Sequence, residues 1–232
     1  MSVVVAWEEV APLALEGRPQ RIVPLVLGYE PISEALSVRG GNAFSYLMEP
    51  VTAVAVVFER GWVLLDGGFD PTRVRDDVLR RASFDYLNYT PIVPGEDPLV
   101  EQVAEAGLSW NQLVAAAISH SHFDHTGAAR LLEPHQPLIL QAREWEHVQS
   151  APSERDAFLF RDDFDHVGLT LALIDGGPRE GPAQPVERGV DLLDVGLVAG
   201  HGVSAGGQAG AERGDAHRGG GGKSGADRPA VE

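Results

Sequence analysis

Residues 114–127 read VAAAISHSHFDHTG, an apolar run that leads directly into three histidines and an aspartate. The apolar run predicts a buried strand, and the loop after a strand end can turn several side chains toward one point. Imidazoles and a carboxylate form a nitrogen and oxygen donor set that suits zinc, with iron, manganese or cobalt as alternatives. We therefore predict a metal site that contains His120, His122, Asp124 and His125.

The spacing of these four side chains predicts two divalent ions. His120 and His122 are two residues apart and can share one metal, while Asp124 and His125 can face a second ion close by. The chain contains no cysteine, so thiolate ligands, a disulfide framework and a cysteine nucleophile are excluded. Any metal must therefore be held by histidine and carboxylate side chains.

This pattern, His-x-His-x-Asp-His after a core strand, resembles the signature of the metallo-β-lactamase superfamily. The resemblance implies an αββα sandwich with a dinuclear site, most simply two zinc ions, at one edge of the two sheets. Residues 62–68 read WVLLDGG and are similar to the family's strand that ends in Asp-x-Gly. Asp66 is then expected to orient an imidazole ligand, or, in the alternative, only to cap the turn before Gly67.

Within the superfamily, the chain is most similar to the N-acyl homoserine lactonase group. The grounds are Phe123 within the motif, the long amino-terminal segment and the 53 residues between Asp66 and His120. This resemblance implies a hydrolase in which a metal-bound hydroxide attacks a lactone or ester carbonyl, while Asp124 acts as a catalytic residue that orients the nucleophile or takes a proton. The alternatives are a glyoxalase II-type thioester hydrolase or another superfamily hydrolase, and a non-catalytic truncated remnant.

Alternating apolar and polar segments predict an α/β fold in residues 1–194. The predicted strands are Arg21–Leu27, Thr52–Phe58, Trp62–Asp66, Val114–Ser119, Pro137–Gln141, Leu169–Ile174 and Val190–Leu193. The predicted helices are Pro71–Ala82, Pro98–Glu105, Ala142–His147 and Ser153–Phe160.

The composition changes after Asp194. Residues 195–232 hold 12 of the 27 glycines and no aromatic residue, so they offer too little apolar surface to offset the entropy lost on folding. We expect an incomplete metallo-β-lactamase-like domain at 1–194 and a disordered tail at 195–232. The candidates for the family's three later ligands are His201, Asp215 and His217, which lack the strands that should present them. The second half is therefore predicted to be truncated or frame-shifted.

The net charge of −16 disfavours a nucleic-acid partner, because such binding depends on lysine and arginine contacts. No apolar run is long enough to span a membrane, and the amino end lacks the features of a signal peptide. We expect a cytoplasmic protein that acts on a small-molecule substrate, with a homodimer as an open alternative.

Overall fold

The structure, a computed structural model, describes residues 1–86 and 88–175. The described strands are β1 (Val3–Ala6), β2 (Arg21–Ser33), β3 (Tyr46–Val57), β4 (Trp62–Leu65), β5 (Leu113–Ala117), β6 (Leu138–Gln141) and β7 (Thr170–Ile174). They form one seven-stranded sheet in the order β1-β7-β6-β5-β4-β3-β2. Strands β4, β5, β6, β7 and β1 run parallel, while β3 and β2 complete the sheet as an antiparallel pair.

Parallel pairing places the carboxyl ends of β4 and β5 side by side. Leu65 is in register with Ala117, and the next backbone amide, that of Asp66, donates to the Ala117 carbonyl at 2.8 Å. The two segments that follow these strands therefore leave the sheet at the same edge. These are the two segments that the sequence singled out, Asp66-Gly67-Gly68 and the histidine motif.

The described helices are α1 (Glu34–Ser37), α2 (Pro71–Arg75), α3 (Asp77–Ser83), α4 (Pro98–Glu105) and α5 (Ala142–Ser150). Aspartate side chains cap three of them, since Asp70, Asp76 and Asp97 accept hydrogen bonds from backbone amides in the first turns of α2, α3 and α4. Such caps satisfy amides that have no partner inside the helix. Short 3₁₀ segments follow at Trp7–Glu9, Trp110–Gln112, Ala129–Leu131 and Arg161–Phe164.

Both faces of the sheet carry apolar side chains. On one face, Leu64, Ala116 and Leu140 belong to the main core, to which α4 and α5 contribute Leu99, Val103 and Val148. On the other face, a smaller cluster is in contact with the amino-terminal segment: Leu15, Val56, Phe58, Val63, Ala115, Ile139 and Ala172. The alternation of the two sets along β4 and β5 is the period expected of strands covered on both sides.

The α/β fold class and six of the seven predicted strands are confirmed, with shifted ends. Strands β2 and β3 are several residues longer than predicted, and β1 was not predicted. The helix at 98–105 is confirmed, and α5 continues three residues beyond its predicted end. The seventh strand at 190–193, the predicted tail and truncation, and His201, Asp215 and His217 lie outside the described residues.

Two helix predictions were wrong. The segment predicted as one helix at 71–82 forms α2 and α3, because Asp76 has extended backbone angles and caps the second helix. The helix predicted at 153–160 is a series of turns, which end where Phe158 takes a left-handed backbone (φ 53°). Its aromatic side chains pack toward the histidine motif instead of following a helical face.

Among the described residues, no helix is long and apolar enough to cross a bilayer.

Truncation of a core side chain in β7 should destabilise the protein strongly. Leu171 is fully buried between neighbouring strands, so Leu171→Ala should lower the free energy of unfolding by about 2–5 kcal/mol. Leu36→Ala is the matched control, because Leu36 is 79% exposed and its loss should cost less than about 0.5 kcal/mol. Urea denaturation of both variants provides the measurement, and equal midpoints would contradict the assigned core.

Candidate metal centre

The histidine motif is a compact loop at the carboxyl end of β5. Ser121 and Thr126 are almost fully buried in it, although both are polar. Gly127 closes the loop by donating its backbone amide to the Gly68 carbonyl at 2.8 Å. A Cβ atom on Gly127 would clash with the Phe69 carbonyl oxygen, so this position requires glycine.

Three of the four predicted metal ligands bring donor atoms to one point. Donor atoms of His120, Asp124 and His125 all lie within 4.8 Å of one another. The ring of His122 is adjacent, with its centroid 4.4 Å from that of His120. The structure thus groups His120 with Asp124 and His125, whereas the sequence spacing paired it with His122. The division into two ion sites stays a prediction.

His125 lies between two carboxylates. Its Nδ1 is 3.1 Å from Asp66 Oδ2, and its Nε2 is 3.0 Å from Asp124 Oδ2. Asp66 also accepts the Ser119 backbone amide at 2.7 Å through Oδ1, so its carboxylate is fixed by the start of the same loop. Asp66 therefore lies where a residue that orients the His125 ring would have to lie.

Two further carboxylates hold the loop, and no sequence pattern indicated either of them. Glu144 of α5 accepts both the backbone amide of Ser121 at 3.1 Å and its hydroxyl at 2.9 Å. Asp163 accepts the Thr126 hydroxyl and, at 2.9 Å, the guanidinium of Arg73. These partners are 23 and 37 residues from the loop positions that they bind, and no local spacing indicates such contacts.

The protonation states of His120, His122 and Asp124 suit metal binding. Burial, together with the neighbouring His125 and His122, lowers the pKa of His120 to about 4, and burial also lowers the pKa of His122. Burial acts to raise the pKa of Asp124, but the hydrogen bond and positive charge of His125 bring it below its usual value. Neutral imidazoles and an ionised carboxylate are the forms that coordinate divalent metals.

The donor set fits a catalytic zinc ion. Two imidazoles and one carboxylate within 4.8 Å supply three ligands, and catalytic zinc sites commonly use three protein ligands with a fourth position for water. An unprotonated ring nitrogen and a carboxylate oxygen repel each other. The contact between His125 Nε2 and Asp124 therefore requires a proton or a cation between the two atoms. In the structure, burial opposes the protonation of His125, but the hydrogen bonds that its ring donates to Asp124 and Asp66 raise its pKa to about 10. A divalent ion would supply this positive charge directly.

A cavity of about 410 Å³ opens beside the cluster, with His122 and Asp124 in its wall. Its apolar lining includes Ile32, Tyr46, Tyr86, Tyr89, Phe123 and Phe158. The rings pack on one another, with Phe158 stacked on Tyr86 at 5.2 Å between centroids and tilted against His122 at 5.6 Å. A small molecule in this cavity would contact both the aromatic rings and the side chains of His122 and Asp124.

Comparison with known proteins indicates one superfamily. The profile of the Metallo-beta-lactamase superfamily matches residues 47–208. The N-acyl homoserine lactonase of Bacillus cereus is 29% identical over 100 residues, which are 43% of this chain and 40% of that protein. The N-acyl homoserine lactonase AiiA of Bacillus thuringiensis subsp. kurstaki is 29% identical over 97 residues, 42% of this chain and 38% of its own length. The chain therefore spans about two fifths of the length of these relatives.

Solved structures support the same fold. Bacillus thuringiensis AiiA with N-decanoyl-L-homoserine bound at its active site has a TM-score of 0.57 at 20% identity, covering 68% of this chain and 60% of that one. A quorum-quenching N-acyl homoserine lactone hydrolase has a TM-score of 0.55 at 19% identity, covering 70% and 60%. Together, the matches confirm the resemblance inferred from the histidine motif and the metallo-β-lactamase-like fold.

Removal of two donors should abolish metal binding at the cluster. His120→Ala combined with Asp124→Ala leaves one of the three convergent donors, so zinc bound per chain should fall to less than half of the wild-type value. Elemental analysis after equilibration with zinc and gel filtration provides the measurement. His135→Ala is the control, because His135 is exposed and is not part of the cluster. Equal zinc content in the double variant and the wild type would refute the site.

The hydroxyl of Thr126 should matter for stability because it satisfies the buried carboxylate of Asp163. Thr126→Val removes that donor without a large change in volume and should lower the free energy of unfolding by about 1–3 kcal/mol. Thr52→Val, at an exposed position of β3, should change it by less than about 0.5 kcal/mol. Chemical denaturation of the two variants compares them, and a neutral Thr126→Val would show that Asp163 does not need this contact.

Proposed function

The chain belongs to the metallo-beta-lactamase superfamily, and on that premise we propose that it is a metal-dependent hydrolase of lactones or esters. The observation that carries the proposal is the convergence of His120, Asp124 and His125 beside a largely apolar cavity. The lactonase relatives support the lactone as the first substrate class to test. An N-acyl homoserine lactone would fit this description, and quorum quenching is then the biological role that we propose.

Four side chains of the histidine motif would hold the metal ions. In the two-ion division predicted from the spacing, His120 and His122 would hold one divalent ion, and Asp124 and His125 a second; if a single ion is bound, the convergent donors of His120, Asp124 and His125 would hold it. Zinc is the first candidate metal, with iron, manganese or cobalt as alternatives. When bound, such ions supply a water of lowered pKa and a Lewis acid for the substrate carbonyl. Asp66 would keep the His125 ring in place through its contact with Nδ1 at 3.1 Å.

Asp124 has a second role in this proposal, since it also lines the cavity. Its ionised carboxylate can orient the attacking water and take a proton as the ring opens. The aromatic rings of the cavity would bind the apolar part of the substrate and exclude water from the reacting carbonyl. We further propose that the protein acts in the cytoplasm on a small molecule, and its oligomeric state, including a homodimer, is to be measured.

The assay that tests this function compares two substrates with the zinc-loaded full chain. We expect turnover of an N-acyl homoserine lactone, which is measured through the proton that hydrolysis releases. In Asp124→Asn, kcat/KM should fall by at least about 100-fold. Asp156→Asn is the control, because Asp156 is exposed and lies outside the cavity lining. Preferential hydrolysis of a glutathione thioester would favour the glyoxalase II-type alternative. Zinc binding without turnover of either substrate would favour the non-catalytic remnant.

A further inference from the structure

The cavity wall carries more negative charge than the metal donors account for. Besides Asp124, the carboxylates of Glu30 and Glu49 line the cavity, and none of the described lining residues is lysine or arginine. Arg155 lies over the Tyr86 ring, but it is not part of the lining, and its guanidinium donates to the Asp85 carbonyl. Within residues 1–86 and 88–175, the lining therefore offers an anionic group carboxylates and no compensating lysine or arginine.

Glu30 and Glu49 face each other across two strands. They are directly paired in the antiparallel register of β2 and β3, so their side chains lie on the same face of the ladder. Two like charges directly opposite each other destabilise a sheet, and uncharged residues would pair better there. Residues that are unfavourable for local stability are concentrated at functional sites. The pairing of Glu30 with Glu49 is therefore explained better by ligand binding in the cavity than by the stability of the two strands.

Tyr89 fixes the position of Glu30. Its hydroxyl donates to Glu30 Oε2 at 2.7 Å, and its ring is anchored by Phe84 and Phe123 at centroid distances of 6.1 Å. Among the described residues, only Oε2 of Glu30 has a hydrogen-bond partner, and Glu30 lines the cavity, so its Oε1 is free to accept from a ligand there. Burial, and then the negative charge of Asp124, raises the pKa of Glu30 to about 7, so tests of its charge should be made at about pH 8, where most of this carboxyl is ionised.

We propose that Glu30, held by Tyr89 and paired with Glu49, makes the cavity selective for uncharged lactones or esters that carry an N–H donor near the scissile carbonyl, and that it excludes anionic substrates. This inference rests on the proposed hydrolase function and narrows its substrate class. A neutral N-acyl lactone satisfies both requirements, because its amide can donate to Glu30. A glutathione thioester does not, because its carboxylates would approach Glu30 and Glu49.

The expected selectivity is large enough to measure. Two unit charges about 8 Å apart in a partly desolvated site, with an effective dielectric constant of about 20, change binding by more than tenfold. Salt screens the repulsion between the glutamates and an anionic ligand wherever the charges are exposed to solvent. The assays should therefore be made at low and constant ionic strength. Removal of the two glutamate charges should relax the selectivity by improving the binding of the anionic ligand. If these residues had only a structural role, their substitution would not improve the binding of the anionic ligand.

The experiment uses two lactones that differ only at the end of the acyl chain, which is a methyl group in one and a carboxylate in the other. With the zinc-loaded full chain, kcat/KM should favour the neutral lactone by at least about tenfold. In Glu30→Gln/Glu49→Gln the preference should fall below about threefold, mainly through a lower KM for the carboxylate lactone. Glu105→Gln, at an exposed position at the end of α4, is the matched control and should keep the wild-type preference.

A binding measurement separates this inference from the proposed function. The neutral and carboxylate-ended N-acyl lactams, which have an amide ring in place of the lactone, are titrated calorimetrically into the same variants. Tyr89→Phe should weaken binding of the neutral lactam about three- to tenfold, because Glu30 loses the donor that positions it. Thermal melting verifies that each variant is folded.

The outcomes are distinct. Equal kcat/KM or equal affinity for the neutral and anionic ligands in the wild type would overturn the selectivity, even if lactones are hydrolysed rapidly. A preference that persists in the double glutamine variant would overturn the role of Glu30 and Glu49. Failure to hydrolyse either lactone, together with selective lactam binding that the double variant loses, would overturn the proposed reaction and leave the inference about the cavity supported.

Discussion

Three carboxylates hold the loop that carries the metal donors, and the geometry of the site depends on these contacts. Asp66 binds the start of the loop at the Ser119 amide, Glu144 binds its middle at Ser121, and Asp163 binds its end at Thr126. Hydrogen bonds to charged groups contribute about 1.5–3 kcal/mol each, roughly twice the value for neutral pairs. Since the carboxylates come from three separate segments, the loop cannot shift as a unit without losing several of these bonds. The imidazoles are therefore held in position before any ion arrives, and small displacements of ligands are costly to catalysis.

The contact with Asp163 carries an electrostatic cost. Asp163 is 6% exposed, and burial raises the pKa of its carboxyl against the opposing effects of Thr126 and Arg73. The Arg73 guanidinium compensates by pairing with this carboxylate and by lying 4.2 Å from the centroid of the Phe160 ring. A buried pair of this kind gives little net stability, but removal of one partner leaves an uncompensated charge. The Arg73–Asp163 pair instead helps to orient the site, because it links α2 to the histidine loop and to the aromatic cluster beside the cavity.

The sequence could predict the parts of the site that are local in the chain. A strand followed by closely spaced histidines and an aspartate is a short-range pattern, and Asp66 was found because it ends a strand in a similar way. Contacts between distant segments leave no such pattern, which is why Glu144, Asp163 and the pairing of Glu30 with Glu49 came only from the structure. The same limit explains the wrong helix at 153–160. Its spacing allowed a helix, but tertiary packing drew Phe158 and Phe160 into the aromatic cluster.

Backbone strain is concentrated around the same site. In the described part of the chain, the non-glycine residues with left-handed backbones are Asp66, Asn88 and Phe158. Asp66 contacts His125, Phe158 lines the cavity, and Asn88 donates to the hydroxyl of Tyr46 in the cavity wall. Such conformations cost of order 1–3 kcal/mol each and persist only where surrounding contacts fix them. Together with the opposed glutamates of β2 and β3, these strained residues show that the local conformational and electrostatic energy of this region is less favourable than that of an ordinary sheet edge. The core beneath the sheet, in which Leu64 and Leu171 are fully buried, supplies the stability that allows these local costs at the site.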